Sequence, residues 1–194
     1  MSNSIMAREA AEAPQRIAEQ LAANAATVAQ VVAQIGLRKP KFVYMVGRGS
    51  SDHAGVFAKY LIEIEIGLPV AAAAPSIASV YNKSLQLQDA LVLVISQSGR
   101  SPDILAQVEM AKRSGAMVVA LVNDITSPLA ELAHYTLPLH VGAEKAVAAT
   151  KSYLATLSAI LHLVSVWSGN VALQHAVASL PDSMRAAIAM PPQL

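Results

Sequence analysis

Five short runs that are apolar almost throughout, residues 41–47, 69–74, 90–95, 116–122 and 135–140, recur along this chain with helical or turn segments between them. A strand wetted on one face alternates apolar and polar residues, whereas one covered on both faces has no need to. Runs of the second kind, alternating with helices, predict five parallel strands in a three-layer α/β/α sandwich. The run at 135–140 is the weakest of the five. With 194 residues, of which 54% are apolar and 14% charged, the chain can bury one core of this size.

The remaining segments read as helices. In the first forty residues Ile17, Leu21, Val28, Val31, Val32 and Ile35 stand at helical spacing, with Pro14 suited to a first turn and Gly36 to a helix end. Two helices are expected there, as a lead-in over residues 1–40 to a domain over 41–170. A helix and a linker follow over 171–194, where Met190-Pro191-Pro192-Gln193-Leu194 reads as the join to a second domain. After residue 51 a helix presents Phe57, Tyr60, Leu61 and Ile64 as its apolar face. Long helices start near Thr150. The apolar stretch over 154–167 is broken by Thr156, Ser158, His162 and Ser165 and falls short of the roughly 20 residues that cross a bilayer. That helix carries Leu154, Leu157, Leu161 and Val164 on one side and Ala155, Ala159 and Val166 on others, so it needs cover on several faces, from a homodimer or a paired domain or, as the alternative, as a central helix of the chain's own core.

Composition excludes several classes of function. A net charge of +1 with one Trp and two Phe supplies neither a basic stripe nor stacking aromatics, so nucleic acid is not an expected partner. Without cysteine there is no disulfide, no thiolate chemistry and no Cys-ligated metal. His53, His134, His140, His162 and His175 lack metal-ligand spacing, and no metal is expected. The amino terminus has no basic cap followed by an apolar core, so a cytoplasmic protein without a membrane segment is expected.

Ligands of such sheets bind at the carboxyl ends of the strands. The third run passes into Ser96-Gln97-Ser98-Gly99-Arg100-Ser101-Pro102-Asp103, in which Ser101 suits an N-cap, Pro102 the first helical position and Asp103 the first turn. Helix-start N–H groups with the Ser96, Ser98 and Ser101 hydroxyls can surround a small dianion. The Gly-Lys-Ser/Thr ending of a triphosphate loop is missing. After the first run, Gly47-Arg48-Gly49 begins a dinucleotide fingerprint, but Asp52 stands where its third glycine belongs and Ala74-Pro75-Ser76 where its acid belongs. No nicotinamide or flavin cofactor is expected. Ser50 and Ser51 then offer hydroxyls to a smaller ligand, the simpler alternative being a tight turn. A third loop, residues 142–153, is built of small residues with Glu144, Lys145 and Lys151 among them, and Glu144 and Lys151 are candidates for proton transfer.

Taken together and in this order, Gly-Arg-Gly-Ser-Ser at 47–51, Ser-Gln-Ser-Gly-Arg-Ser-Pro-Asp at 96–103 and Glu-Lys-Ala-Val-Ala-Ala-Thr-Lys-Ser-Tyr at 144–153 resemble the sugar isomerase (SIS) domain family. Met6, Glu9, Pro14 and Ile17 resemble the helical lead-in of its double-domain members. The resemblance implies a flavodoxin-like fold, with Ser96, Gln97, Ser98 and Ser101 on the phosphate of a hexose 6-phosphate or amino-hexose 6-phosphate. It places Ser51 and Ser50 on sugar hydroxyls, and Val147 and Ala149 against the sugar. Synthase-like members carry Ser at the position of Ala149 and an acid at that of Arg100. The implied reaction is that of the first half of a glucosamine-6-phosphate deaminase or isomerase, giving fructose 6-phosphate and ammonia with no cofactor. The isomerase half of an aminotransferase, a non-catalytic sensor and an isomerase for another phosphosugar are the alternatives. In double-domain members the second SIS domain supplies the base, so this stretch alone is expected to bind rather than turn over.

Overall fold

The computed structural model describes residues 4–190, so most of the linker expected at 190–194 lies outside the described residues. The five apolar runs form the strands β1 Phe42–Val46, β2 Val70–Ala72, β3 Ala90–Ser96, β4 Met117–Val122 and β5 Tyr135–Pro138. All pair in parallel in the order β2-β1-β3-β4-β5. Seven helices are described: α1 Ile5–Arg38, α2 Ser50–Glu65, α3 Ser76–Ser79, α4 Pro102–Arg113, α5 Pro128–Leu132, α6 Lys151–Ser168 and α7 Val171–Ala189.

Side chains alternate across each strand, and here both sets are apolar. Val43 and Met45, Leu91, Leu93 and Ile95, and Met117, Val119 and Leu121 face α1, α2 and α6. Tyr44 and Val46, Val92 and Val94, and Val118, Ala120 and Val122 face α4 and α5. The three-layer sandwich expected from the sequence is therefore present, and the central strands read as unbroken apolar runs because neither face meets water. Each fully buried Leu, Ile or Val contributes about 1.5–3 kcal/mol.

Two helical expectations need correction. The first forty residues form one helix of 34 residues, with Pro14 well inside it and Gly36 short of its end, which comes at Lys39 in left-handed backbone (φ 48°). One buried stripe, Glu9, Ala13, Ile17, Gln20, Asn24, Val28, Val31 and Ile35, runs without a phase break from end to end. It explains why a proline that removes one ladder hydrogen bond leaves the helix whole. The second correction concerns α2, which buries Ala54, Gly55, Ala58 and Ile62, while Tyr60 and Ile64 from its expected apolar face stand exposed beside Val56. Small residues let α2 approach the sheet closely, with Gly55 set against the Met45 side chain.

The cover that α6 needs comes from this chain: α1, α2 and α7 all pack on it. That helix gives no support to association. Polar groups join α1 to the same region. Gln20 donates from its amide to the carbonyls of Leu139 (3.1 Å) and Ala155 (3.0 Å), and Asn24 donates to the Pro138 carbonyl (2.8 Å) while its oxygen faces His140 Nε2 (3.3 Å). No described helix is long and apolar enough to cross a membrane.

Replacing Asn24 by Leu keeps its size but strands the Pro138 carbonyl. We expect a loss of about 1–3 kcal/mol, read as a lower urea midpoint with unchanged slope. An unchanged midpoint would show that α1 docks through its apolar residues alone.

Candidate functional site

From β1 the chain crosses to β2 on one side of the sheet, and from β3 it crosses to β4 on the other. Their carboxyl ends therefore diverge, and a crevice opens between the loops that leave them. The loop after β1 places Gly49 at φ 56° and ψ −128°, a conformation that favours glycine, so that Ser50 and Ser51 become the first residues of α2. Ser50 is exposed and Ser51 half-buried.

The loop after β3 is fixed from behind. Gly99, buried and at φ 65°, donates its N–H to Ser96 Oγ (3.1 Å) and accepts from Leu129 N–H (3.2 Å). A Cβ on Gly99 would run into Ser127 Oγ and lie 2.9 Å from Val122 Cγ2. The Gln97 carbonyl accepts from Asn123 N–H (3.2 Å), and the Arg100 guanidinium pairs with Asp124 at 2.8 Å. Asp124 also accepts from the hydroxyl and the N–H of Thr126, and these bonds, with Arg100, hold its carboxyl down at about 2. In front, Gln97 and Ser98 are exposed. Ser101 occupies the N-cap of α4, but its hydroxyl makes no capping bond, which leaves it available with the free N–H groups of the helix start. Ser96 is 8% exposed and uses its oxygen to close the turn, though its hydroxyl can still donate.

An ion pair crosses the crevice: Arg48 from the first loop meets Asp103 in the first turn of α4 at 3.0 Å. Beside it lies a cavity of about 950 Å³ between α3 and α4, lined by Gly47, Arg48, Asp52, Ser76, Pro102 and Asp103 among others. None of Ser50, Ser51, Ser96, Gln97, Ser98 and Ser101 lines that cavity, so the hydroxyls and this hollow are neighbours and not one space.

Gly142 to Thr150 form the third loop, without helix or strand. Asn123 anchors its start, accepting from Val141 N–H (3.2 Å) and donating to the Gly142 carbonyl (2.8 Å). One residue thus ties the second loop to the third. Glu144 folds back as the cap of α6, accepting from Thr150 N–H (2.8 Å), Ser152 N–H (3.4 Å) and the Ser152 hydroxyl. Lys151 is almost wholly buried and paired with Glu12 of α1 at 2.7 Å. Both candidates for proton transfer therefore hold structural partners in this structure. Glu9, 6% exposed, accepts from the N–H groups of Lys145 (2.6 Å) and Ala146 (3.1 Å). The Lys145 N–H, helped by that of Ala146, holds the Glu9 carboxyl below the ordinary carboxylate range against the opposing effect of burial. Val147 is fully exposed at the tip of the loop, and Ala149 is exposed beside it. Among the described residues no three of His, Cys, Asp and Glu come together as metal ligands.

Residues 36–166, which hold the sheet and all three loops, match the SIS domain family. The chain belongs to that family. Over 164 residues it is 33% identical to a glutamine–fructose-6-phosphate aminotransferase (isomerizing) of Sulfurisphaera tokodaii, a match that covers 83% of this chain and 27% of that protein. A crystal structure from Silicibacter pomeroyi DSS-3, provisionally described as a phosphosugar isomerase, is 44% identical with a TM-score of 0.92, covering 95% of this chain and 56% of that one. The C-terminal domain of the glucosamine-fructose-6-phosphate aminotransferase of Francisella tularensis shares the fold at 22% identity, with a TM-score of 0.75 over 97% of this chain and 54% of that one. The chain thus spans about a quarter of the aminotransferase it matches and a little over half of each of these two solved structures.

Within this SIS domain the crevice and the end of the sheet gather Ser50, Ser51, Ser96, Gln97, Ser98 and Ser101, with Val147 and Ala149 on a loop tied to the second through Asn123. Sequence reasoning missed Asn123 altogether and saw Glu9 only as part of a lead-in. Asn123 stands directly at the carboxyl end of a parallel strand, and Glu9 is an acid in the helical phase of Ala13 and Ile17. Either feature was a usable signal.

Gly99→Ala should cost about 2–4 kcal/mol from left-handed strain and the clash with Ser127, measured by chemical denaturation; a change under half of that would refute the tight fit. Because the folded value for Asp124 lies below its unfolded 3.8, its contribution is complete above that pH and is lost as pH falls toward about 2. The wild-type melting temperature should therefore drop more between pH 4 and 2 than that of Asp124→Asn, and equal drops would contradict the pairing.

Proposed function

We propose that this SIS domain binds the phosphate of a hexose 6-phosphate at the start of α4, and that the protein it serves deaminates glucosamine 6-phosphate, isomerising the amino sugar between carbons 1 and 2 and taking up water to release fructose 6-phosphate and ammonia. The observation that carries the reading is a loop pinned from behind by Asn123, Leu129 and Asp124 while Ser98, the Ser101 hydroxyl and the helix-start N–H groups remain uncommitted in front. A dianion is the ligand that such a donor array suits: donors on one side, a helix dipole behind them, and no lysine needed. Arg100 is held on Asp124 and adds positive field without direct contact.

The sugar would extend from the phosphate toward Val147 and Ala149, with Ser50 and Ser51 at the other end of the crevice. Sequence relatives named as isomerizing fructose-6-phosphate aminotransferases support a hexose 6-phosphate over other anions. The deaminase reading rests on the family resemblance of the three loops. Glu144 and Lys151, with their charges on α6 and on Glu12, serve better as wall-builders than as proton carriers, since moving their protons would release the loop. On this reading the general base comes from outside this domain.

Pairing with a second copy of this chain belongs to the same proposal. Its support has moved from α6 to α2, where Val56, Tyr60 and Ile64 stand exposed at spacings of four. Tyr60→Glu should leave a monomer in sedimentation if that stripe is the contact. A cytoplasmic location accords with this metabolite chemistry.

Glucosamine 6-phosphate should raise the melting temperature of the chain in proportion to the logarithm of its concentration. Ser98→Ala, which removes one donor to a charged group, should weaken binding by about 10- to 100-fold. No shift with any hexose 6-phosphate, or full binding by a Ser96→Ala/Ser98→Ala double variant, would overturn the assignment.

A further inference from the structure

We infer that Glu9, on α1, is a positioning residue for the ligand site: its carboxylate sets the backbone of the 144–150 loop so that Val147 and Ala149 form the wall of the sugar. This rests on the phosphosugar reading above and deepens it.

The two oxygens of Glu9 are divided between successive N–H groups, those of Lys145 at 2.6 Å and Ala146 at 3.1 Å, 136 and 137 residues further along the chain. That loop has no helix or strand of its own to fix it. Peptide groups outside a ladder take their conformation from whatever accepts their hydrogens. Glu144 anchors the loop to α6 at one end and Asn123 anchors Val141 and Gly142 at the other. Between those anchors Glu9 is the group that holds Lys145 and Ala146, directly before the exposed tip. Glu9 is itself buried, and the neighbouring Glu12–Lys151 pair keeps the same stretch of helix against α6. A carboxylate can accept two N–H groups at once, whereas an amide offers one oxygen and brings two donors that would face the same N–H groups. Changing charge and acceptor count at Glu9 should therefore move the loop tip while leaving the phosphate loop, pinned separately from β4 and α5, where it is.

The test compares two probes on the full 194-residue chain: glucosamine 6-phosphate, which spans both loops, and inorganic phosphate, which needs only the start of α4. For Glu9→Gln we expect the dissociation constant for glucosamine 6-phosphate to rise by about 10-fold, one charge-assisted hydrogen bond, while that for inorganic phosphate changes by less than about twofold. Hydrogen exchange should show faster exchange over 143–150 and unchanged protection in β3. Glu9→Asp keeps the anion on a shorter stem and should recover part of the loss. A Glu9→Gln chain that binds glucosamine 6-phosphate like wild type overturns the inference and leaves the proposed function standing. Equal weakening of both probes, with protection lost throughout the sheet, also overturns it, because Glu9 would then act on folding alone. If wild type binds neither probe, the proposed function fails and this inference with it. If Glu9→Gln does not fold, the same comparison is read on Glu9→Asp, where parity with wild type again overturns the inference.

Discussion

Everything at the candidate site follows from the peptide groups at the carboxyl ends of five parallel strands, which have no ladder to continue into. Each must find a partner in the loops, or a ligand must supply one. At the end of β3 the partners come from behind: Asn123 N–H takes the Gln97 carbonyl, Leu129 N–H takes that of Gly99, and Ser96 Oγ takes the Gly99 N–H. These bonds exhaust the inward side of the turn, so the N–H groups at the start of α4 point away from it. Because β1 and β3 connect onward in opposite directions, nothing in the sheet crosses in front of them. The candidate site is a consequence of topology before it is a matter of particular serines.

Chain connectivity also explains the weight carried by α1. β5 is an edge strand, and the chain that leaves it must reach α6 without further sheet contacts. Such a segment would be loose unless another element supplied hydrogen-bond partners. The buried stripe of α1 does so by replacing apolar residues with polar ones where the segment passes: Asn24 against Pro138, Gln20 against Leu139 and Ala155, and Glu9 against Lys145 and Ala146, with the exposed Glu12 beside the stripe pairing with Lys151. At the other end Val28, Val31 and Ile35 are apolar and lie over the sheet layer. One helix thus has two jobs at its two ends, set by what each turn faces.

Much of this was legible in the sequence, and the part that was not has a common cause. Strands buried on both faces announce themselves by unbroken apolar runs, so the five strands were located to within about two residues of where they lie, as is usual for element ends. Ser96 to Asp103 were readable because an N-cap, a proline and an acid have local meanings that do not depend on the rest of the fold. Pro14 and Gly36 misled for the same reason, since a local breaker signal was outweighed by a stripe of contacts that continued on either side of it. On α2 the helical spacing of Phe57, Tyr60, Leu61 and Ile64 marks one apolar face, of which Phe57 and Leu61 do pack on the core, while close helix–sheet packing buries Ala54, Gly55 and Ala58 and leaves Tyr60 and Ile64 outside. Glu9, Asn24 and Asn123 act on residues more than a dozen positions away, and no pattern within their own segments names those partners.

The same distinction separates the roles of the charged residues near the third loop. In the sequence Glu144 and Lys151 are ionisable groups beside small residues, which fits proton transfer and structural anchoring equally. In the fold each has a structural partner: Glu144 closes the first turn of α6, and the buried Lys151 ammonium would lose its ion-pair partner if Glu12 were removed. A group that must keep its charge for the loop to keep its shape is poorly suited to give that charge up in each turnover. On the function proposed above, this domain would hold and orient a phosphosugar, and proton movement would fall to groups outside the third loop.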